Sequence, residues 1–197
     1  MKKNLLLLLL LVSSFALGQN REELKKDRVI NFYGVDYSLA KVYGATETPE
    51  LFKKMFGDIN TLFISEARKY DVAKLLKKDV DKIELGAVNQ MNTQLNLNEI
   101  VADSKKYVLD SNLLSEHIKS LPIKDEKGVG LIVVTQFLDK ASNQGTYQVV
   151  YFDLSSKKIL SNCSVQGKAG GFGLRNFWAS SMYKALKKAD KCFLNKN

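Results

Sequence analysis

VGLIVVTQFLDKASNQGTYQVVYFDLSSKKILSNCSVQGKAGGFGLRNFWASSMYKALKK, residues 129–188, is the stretch that decides the fold. Val129 to Leu138 is a near-continuous apolar run of the kind a buried strand requires. Lys140 to Gly145 makes a polar turn, and Thr146 to Leu154 is a second run of aromatic and β-branched residues. Ser155, Ser156 and Lys157 then turn the chain into a third strand, Lys158 to Gln166. Short polar turns join antiparallel neighbours, so the three runs read as a meander. The two-residue period places Ile159, Cys163 and Val165 on one face of the last strand. Gly167 to Gly173 ends the sheet. Beyond it Leu174, Phe177, Trp178, Met182, Ala185 and Leu186 recur at helical spacing, with Arg175, Asn176, Lys184, Lys187 and Lys188 elsewhere on the same helix. Such an apolar stripe faces a core, and here it should cover one face of the meander.

Working back toward the N-terminus, Arg28 to Tyr43 is rich in Val, Ile, Phe and Tyr and reads as one long or two short strands, with Gly34 at a bulge. Thr48 and Pro49 place a capping hydroxyl before a proline at the first helical position. Leu51, Phe52, Met55, Phe56, Ile59, Leu62 and Phe63 then predict a helix over 49–66 that continues through Gly57. Asp71 caps a short second helix over 72–77, Val80 to Val88 returns to strand character, and Asn89 to Asn98 reads as a loop. Asp110 opens a further helix with Leu113, Leu114, Ile118 and Leu121 on one side, ended by Pro122. The expected fold class is α+β: an antiparallel or mixed sheet, with its C-terminal three-stranded meander covered by amphipathic helices. One domain over 28–197 follows a polar leader, 19–27.

Residues 1–18 have the make-up of a cleavable export signal. Lys2 and Lys3 form the positive start, Leu5 to Val12 the apolar centre, and Ala16-Leu17-Gly18 the small-x-small site before Gln19. Leu5 to Leu17 falls short of the roughly 20 residues a spanning helix needs. The product is expected in the periplasm or secreted, with no transmembrane span after cleavage.

The chain carries 30 Lys and Arg against 21 Asp and Glu, a formal charge of +9. Removing the signal takes two lysines and no acid. The excess is scattered as Lys-Lys pairs with acids interleaved, and arginine is scarce. A nucleic-acid binder concentrates its basic residues on one element, so no nucleic acid is expected. The partner classes that fit are an envelope protein or an anionic ligand. Cys163 and Cys192 sit in a chain bound for a compartment where disulfides persist. They read either as one bridge pinning the C-terminal tail or as two separate thiols. Cys163 lies about 13 Å before its strand ends, whereas a helix over 172–189 travels about 26 Å. A bridge would therefore require the tail to fold back.

Candidate chemistry is sparse. Gly167 to Gly173 ahead of a helix offers either an anion or glycan site using Lys168, Gly170, Gly171 and Arg175, or a strand-to-helix turn in which glycine supplies positive φ and close packing. The spacing of a P-loop is not met. His117, the only histidine, reads as half-exposed. A thiol hydrolase would need it beside Cys163 or Cys192. No metal-ligand spacing and no cofactor motif is present. Glu47 with Glu50, and Asp79, Asp81 and Glu84, read as solvated charges. The leading expectation is a non-enzymatic exported cell-envelope protein that binds a partner or supports assembly. Its alternatives are a small anionic ligand or glycan-binding module built on the glycine turn, and a thiol hydrolase.

In YFDLSSKKIL (151–160), GKAGGFGLRNFWASSMYKALKK (167–188) and Phe63-Ile64-Ser65-Glu66-Ala67-Arg68-Lys69-Tyr70-Asp71, the chain resembles a family of short exported bacterial proteins of unassigned function. The resemblance implies export and no particular activity. Residues 129–188 are also similar, more distantly, to periplasmic α/β domains of envelope assembly lipoproteins of the curli secretion type. Their lipid-bearing cysteine has no counterpart here, since Gln19-Asn20-Arg21 follows the cut.

Overall fold

The computed structural model describes residues 29–105, 107–124 and 127–194. The stretches read as an export signal, 1–18, and a polar leader, 19–27, lie outside them. The elements run β1 (Val29–Asp36), β2 (Lys41–Tyr43), α1 (Pro49–Ser65), α2 (Val72–Leu76), β3 (Asp79–Ile83), α3 (Gly86–Thr93), a 3-10 turn (Leu97–Glu99), α4 (Ser111–Ser120), β4 (Val129–Asp139), β5 (Gln144–Asp153), β6 (Ile159–Lys168) and α5 (Leu174–Leu194). The fold is α+β around one mixed sheet of order β3-β1-β4-β5-β6, with β2 also against β4. The expected meander is present, β4 and β6 each antiparallel to β5. β1 is parallel to both β3 and β4, and β2 is parallel to β4. Parallel neighbours need long crossovers. α1 and α2 make the one that leads to β3; α3, the 3-10 turn and α4 make the one that leads to β4.

β4 is buried along its length except at Asp139, which explains why its sequence reads as a continuous apolar run rather than an alternation. On one face Leu131, Val133, Val149, Cys163 and Val165 pack against Phe56, Ile59 and Phe63 of α1 and Trp178, Met182 and Leu186 of α5. On the other, Ile132, Val134, Val150 and Phe152 meet Val88 of α3 and Leu114 and Ile118 of α4. Asp71 and Asp110 cap their helices as expected, accepting from Lys74 N–H and from the N–H groups of Asn112 and Leu113. Among the described residues no helix is long and apolar enough to cross a membrane.

Several expectations change. β3 stops at Ile83, and α3 occupies part of the stretch read as strand and loop. Its buried residues are Ala87, Val88 and Asn92, and a polar core residue breaks the apolar period that would have marked the helix. The Thr48 hydroxyl makes no side-chain cap bond; Pro49 alone begins α1. Leu113 is exposed, leaving Leu114 and Ile118 to hold α4. A register shift between Tyr151 and Phe152 turns Ile159 to the opposite face from Cys163 and Val165. α5 continues to Leu194, with Ala189 buried and the Phe193 ring 5.0 Å from Tyr151.

Cys163 and Cys192 are joined by a disulfide, their Cα atoms 6.2 Å apart. Strand and helix lengths reconcile because α5 overhangs the end of β6. Gly167 lies directly beneath Ser181, so the first two turns of the helix project beyond the strand. From that contact, Ser181 to Cys192 spans about 16 Å of helix and Gly167 to Cys163 about 13 Å of strand.

Candidate functional site

The buried polar groups gather where β1 breaks off. Gly34 has φ +91°, and β1 shifts register against β4 between Phe32 and Val35. Pairing with β3 ends at Phe32, so the backbone of Val35 and Tyr37 must find partners elsewhere. Helix asparagines supply them. Asn60 of α1 accepts from Val35 N–H at 2.8 Å and donates to Val35 C=O at 2.8 Å. Asn92 of α3 accepts from Tyr37 N–H at 2.6 Å and donates to the same carbonyl at 3.1 Å. Asp36 accepts from Ser38 N–H at 2.7 Å, and its other oxygen lies 2.6 Å from His117 Nε2 of α4. His117 is therefore a buried partner of a buried aspartate, not a half-exposed residue. Burial pushes the Tyr37 phenol well above its ordinary value, with the neighbouring Tyr147 and Tyr70 phenols adding to the effect.

Asn60, Asn92, Asp36 and His117 are spent on architecture: each completes the backbone of β1 or joins α4 to it, whereas the buried Tyr37 hydroxyl makes no hydrogen bond among the described residues. His117 packs with the α4 side of the sheet, whereas Cys163 belongs to the α5 side and is bridged to Cys192. The structure thus does not bring the histidine to either sulfur. Glu47 is also not a free surface charge. It accepts from Lys140 Nζ at 2.8 Å, and although burial works against it, that hydrogen bond and charge hold its carboxyl below the usual range.

The glycine turn is held from within. Gly171 and Gly173 take positive φ, +113° and +79°. Gly170 N–H donates to Phe177 C=O at 3.2 Å, and Asn176 Nδ2 donates to Phe172 C=O at 3.1 Å. Arg175 donates to Asn176 Oδ1 and approaches Glu66 at 4.0 Å. Lys168 ends β6 on the sheet face away from α5, and its carbonyl accepts from Lys184 Nζ at 3.1 Å. Arg175 thus points its hydrogen bonds at the turn itself, while Lys168 belongs to a different surface.

That surface is the open side of the meander. Along β6 burial alternates strictly from Cys163 to Lys168, and along β5 from Gln144 to Val149. The inward residues lie under α5; the outward ones are Gln144, Thr146 and Gln148 on β5 and Ser164, Gln166 and Lys168 on β6, in register as Gln144↔Lys168, Thr146↔Gln166 and Gln148↔Ser164. Their side chains form a ladder of neutral hydrogen bonds. Gln144 Nε2 donates to Gln166 Oε1 at 2.7 Å, Gln148 Nε2 to Gln136 Oε1 at 2.8 Å, and Gln136 Nε2 to Tyr107 C=O at 3.0 Å. Gln166 Nε2 and Asn162 Nδ2 extend it at 3.4 Å to Thr146 Oγ1 and Gln148 Oε1. Phe137, in register with Thr146, carries the Tyr43 and Tyr107 rings on either side at 6.4 Å. At the outer rim, a hollow of 480 Å³ is lined by Ser164, Val165, Gln166, Lys188 and Cys192. Sequence reading missed this face, although the alternation Gln144, Thr146, Gln148 and Ser164, Gln166, Lys168 is visible in it.

No protein-family model and no curated protein matches the chain. Among solved structures, a hypothetical protein from Chlamydia trachomatis is similar over 83% of this chain and 91% of its own, at 10% identity and a TM-score of 0.28, a level that carries no argument about fold or function.

Proposed function

We propose that this is a non-catalytic exported protein of the cell envelope that acts by binding, and that the open face of β5 and β6 is its contact surface. The observation that carries the reading is the neutral ladder from Tyr107 and Gln136 to Asn162 and from Gln144 to Thr146. Asn60, Asn92 and Asp36 complete the fold. On the open face the amides are held in fixed geometry with one side toward solvent. Amide side chains have two hydrogens and an oxygen with two lone pairs, so the ladder uses only part of their capacity. Groups already ordered lose little freedom on binding. The export signal, Lys2 to Gly18, and the resemblance to short exported proteins support the compartment.

The test is retention of envelope extract on the immobilised exported chain. Gln148→Glu with Gln166→Glu puts two charges on the face without touching the core. Loss of retention with an unfolding midpoint near that of the parent is the expected result. Equal retention by parent and double variant would overturn the assignment of this face.

A further inference from the structure

We infer that the open face takes an uncharged glycan strand, an inference that rests on the face being the binding surface. Its chemistry selects the ligand. The outward residues Gln144, Thr146, Gln148, Asn162, Ser164 and Gln166 carry no charge, with Lys168 alone at one end, on a chain of formal charge +9. The nearby lysines stand at the rim: Lys184 and Lys188 donate to the carbonyls of Lys168 and Gln166, and Lys105 lies 5.8 Å from the centre of the Tyr43 ring. Among the outward side chains of the ladder itself, Thr146, Gln148, Asn162, Ser164 and Gln166, there is no ammonium group to meet an acidic polymer. Sugar hydroxyls both donate and accept, and amides offer both functions from one side chain. The ladder engages one hydrogen of Gln148 Nε2 and one of Gln144 Nε2, at Gln136 and Gln166. Each amide keeps a second hydrogen for an outside acceptor.

The aromatic strip completes the match. Tyr107 and Tyr43 are half-buried beside Phe137, and Phe137 is in register with Thr146 at the centre of the ladder. Rings next to amides suit a ligand with an apolar C–H face and a polar rim, which is how a sugar ring is built. The platform extends about 13 Å along the strands from Gln144 to Gln148, and about 10 Å across from β4 to β6. A short run of sugar rings fits that footprint, lying flat over the strands.

The experiment titrates the exported chain with three neutral probes, chitohexaose, cellohexaose and maltohexaose, up to millimolar concentration, following side-chain amide resonances by NMR. The expected result is saturable binding of at least one probe, with shifts centred on Gln136, Gln144, Gln148 and Gln166. Gln148→Ala with Gln166→Ala should weaken it about tenfold or more, the size of one lost hydrogen bond. Arg175→Ala should leave it unchanged, as should raising the salt from about 50 to about 500 mM. Binding that instead falls with salt and with the Arg175 change would assign the ligand to the glycine turn and overturn the inference. Should no probe bind while envelope retention on the face persists and is destroyed by protease treatment of the extract, the face binds a protein: the glycan fails and the binding surface stands. Absence of both retention and probe binding sinks the two together.

Discussion

At the scale of single residues, the polar groups of this protein divide by what they replace. Asn60 and Asn92 stand in for a missing strand beside Val35 and Tyr37, and Asp36 ties the end of β1 to His117 of α4. Each sits where water cannot substitute, so its loss strands a buried partner. Asn60→Ala should destabilise the fold by about 2 to 3 kcal/mol, because the Val35 N–H then has no acceptor. Asp36→Ala should cost about 2 to 3 kcal/mol by leaving the buried His117 Nε2 and the Ser38 N–H without their partner. Denaturant unfolding monitored by circular dichroism checks both. Changes within about 0.5 kcal/mol, the range of ordinary surface substitutions, would show that these side chains are not completing the sheet. Neither asparagine was legible beforehand. Asn60 interrupts a stripe of Phe, Met, Ile and Leu where apolar residues are expected, and its partner is 25 residues away. Nothing local marks a polar residue as a substitute for a strand.

At the scale of elements, α5 is placed by glycine as much as by its apolar stripe. Gly145 and Gly167 are paired across β5 and β6. A side chain at Gly167 would collide with the Ser181 carbonyl, and one at Gly145 would come within 2.6 Å of Ser181 Oγ and 2.5 Å of Tyr147 Oη. The pair is a shallow trough in which the helix backbone rests, with Ser181 Oγ donating to Gly167 C=O at 2.7 Å. Gly167→Ala should therefore destabilise by about 3 kcal/mol or more, since backbone rather than a movable side chain must give way. Gly170→Ala, which meets only the end of Lys184 at 4.0 Å, should fall within about 1 kcal/mol of the parent. Similar midpoints in thermal melts of the two variants would remove this account of the helix position. The same closeness lets α5 guard the outermost strand: Lys188 Nζ donates to Gln166 C=O at 2.8 Å and Lys184 Nζ to Lys168 C=O. Lysines at a sheet edge oppose pairing with another chain.

For the whole molecule, the disulfide closes the C-terminal part of the chain on itself. It joins residues 29 apart, and the chain-entropy argument gives such a loop about 3 to 4 kcal/mol of stabilisation. Cys163→Ala with Cys192→Ala, compared with the parent in oxidising buffer, should lower unfolding free energy by that amount. Under a thiol reductant the parent should fall toward the double variant. A parent that is indifferent to reductant would show that α5 is held on β6 by packing alone. The open face should behave in the opposite way: Gln148 and Gln166 are half-exposed or exposed, so their replacement reads out in binding and not in the melt. The proposed binding surface thus lies on the side of the meander opposite to α5.

Elements whose periodicity is local were readable in the sequence. The three runs of the meander, the stripes of α1 and α5, and the aspartate caps at Asp71 and Asp110 follow from side-chain alternation and helix spacing over a few residues. The sequence also determined the class, since three consecutive strands joined by short polar turns stand beside separate stretches of helical spacing. Tertiary structure alone decided that β1 lies between β3 and β4 and runs parallel to both, because parallel neighbours are joined through long crossovers that leave no turn signature. The pairing of Asp36 with His117 across 81 residues, the overhang that brings Cys192 to Cys163, and the side of the sheet left to solvent were decided there too. Each depends on where a distant element comes to rest, and a residue's local pattern records which face it shares with its neighbours, not what arrives to cover that face.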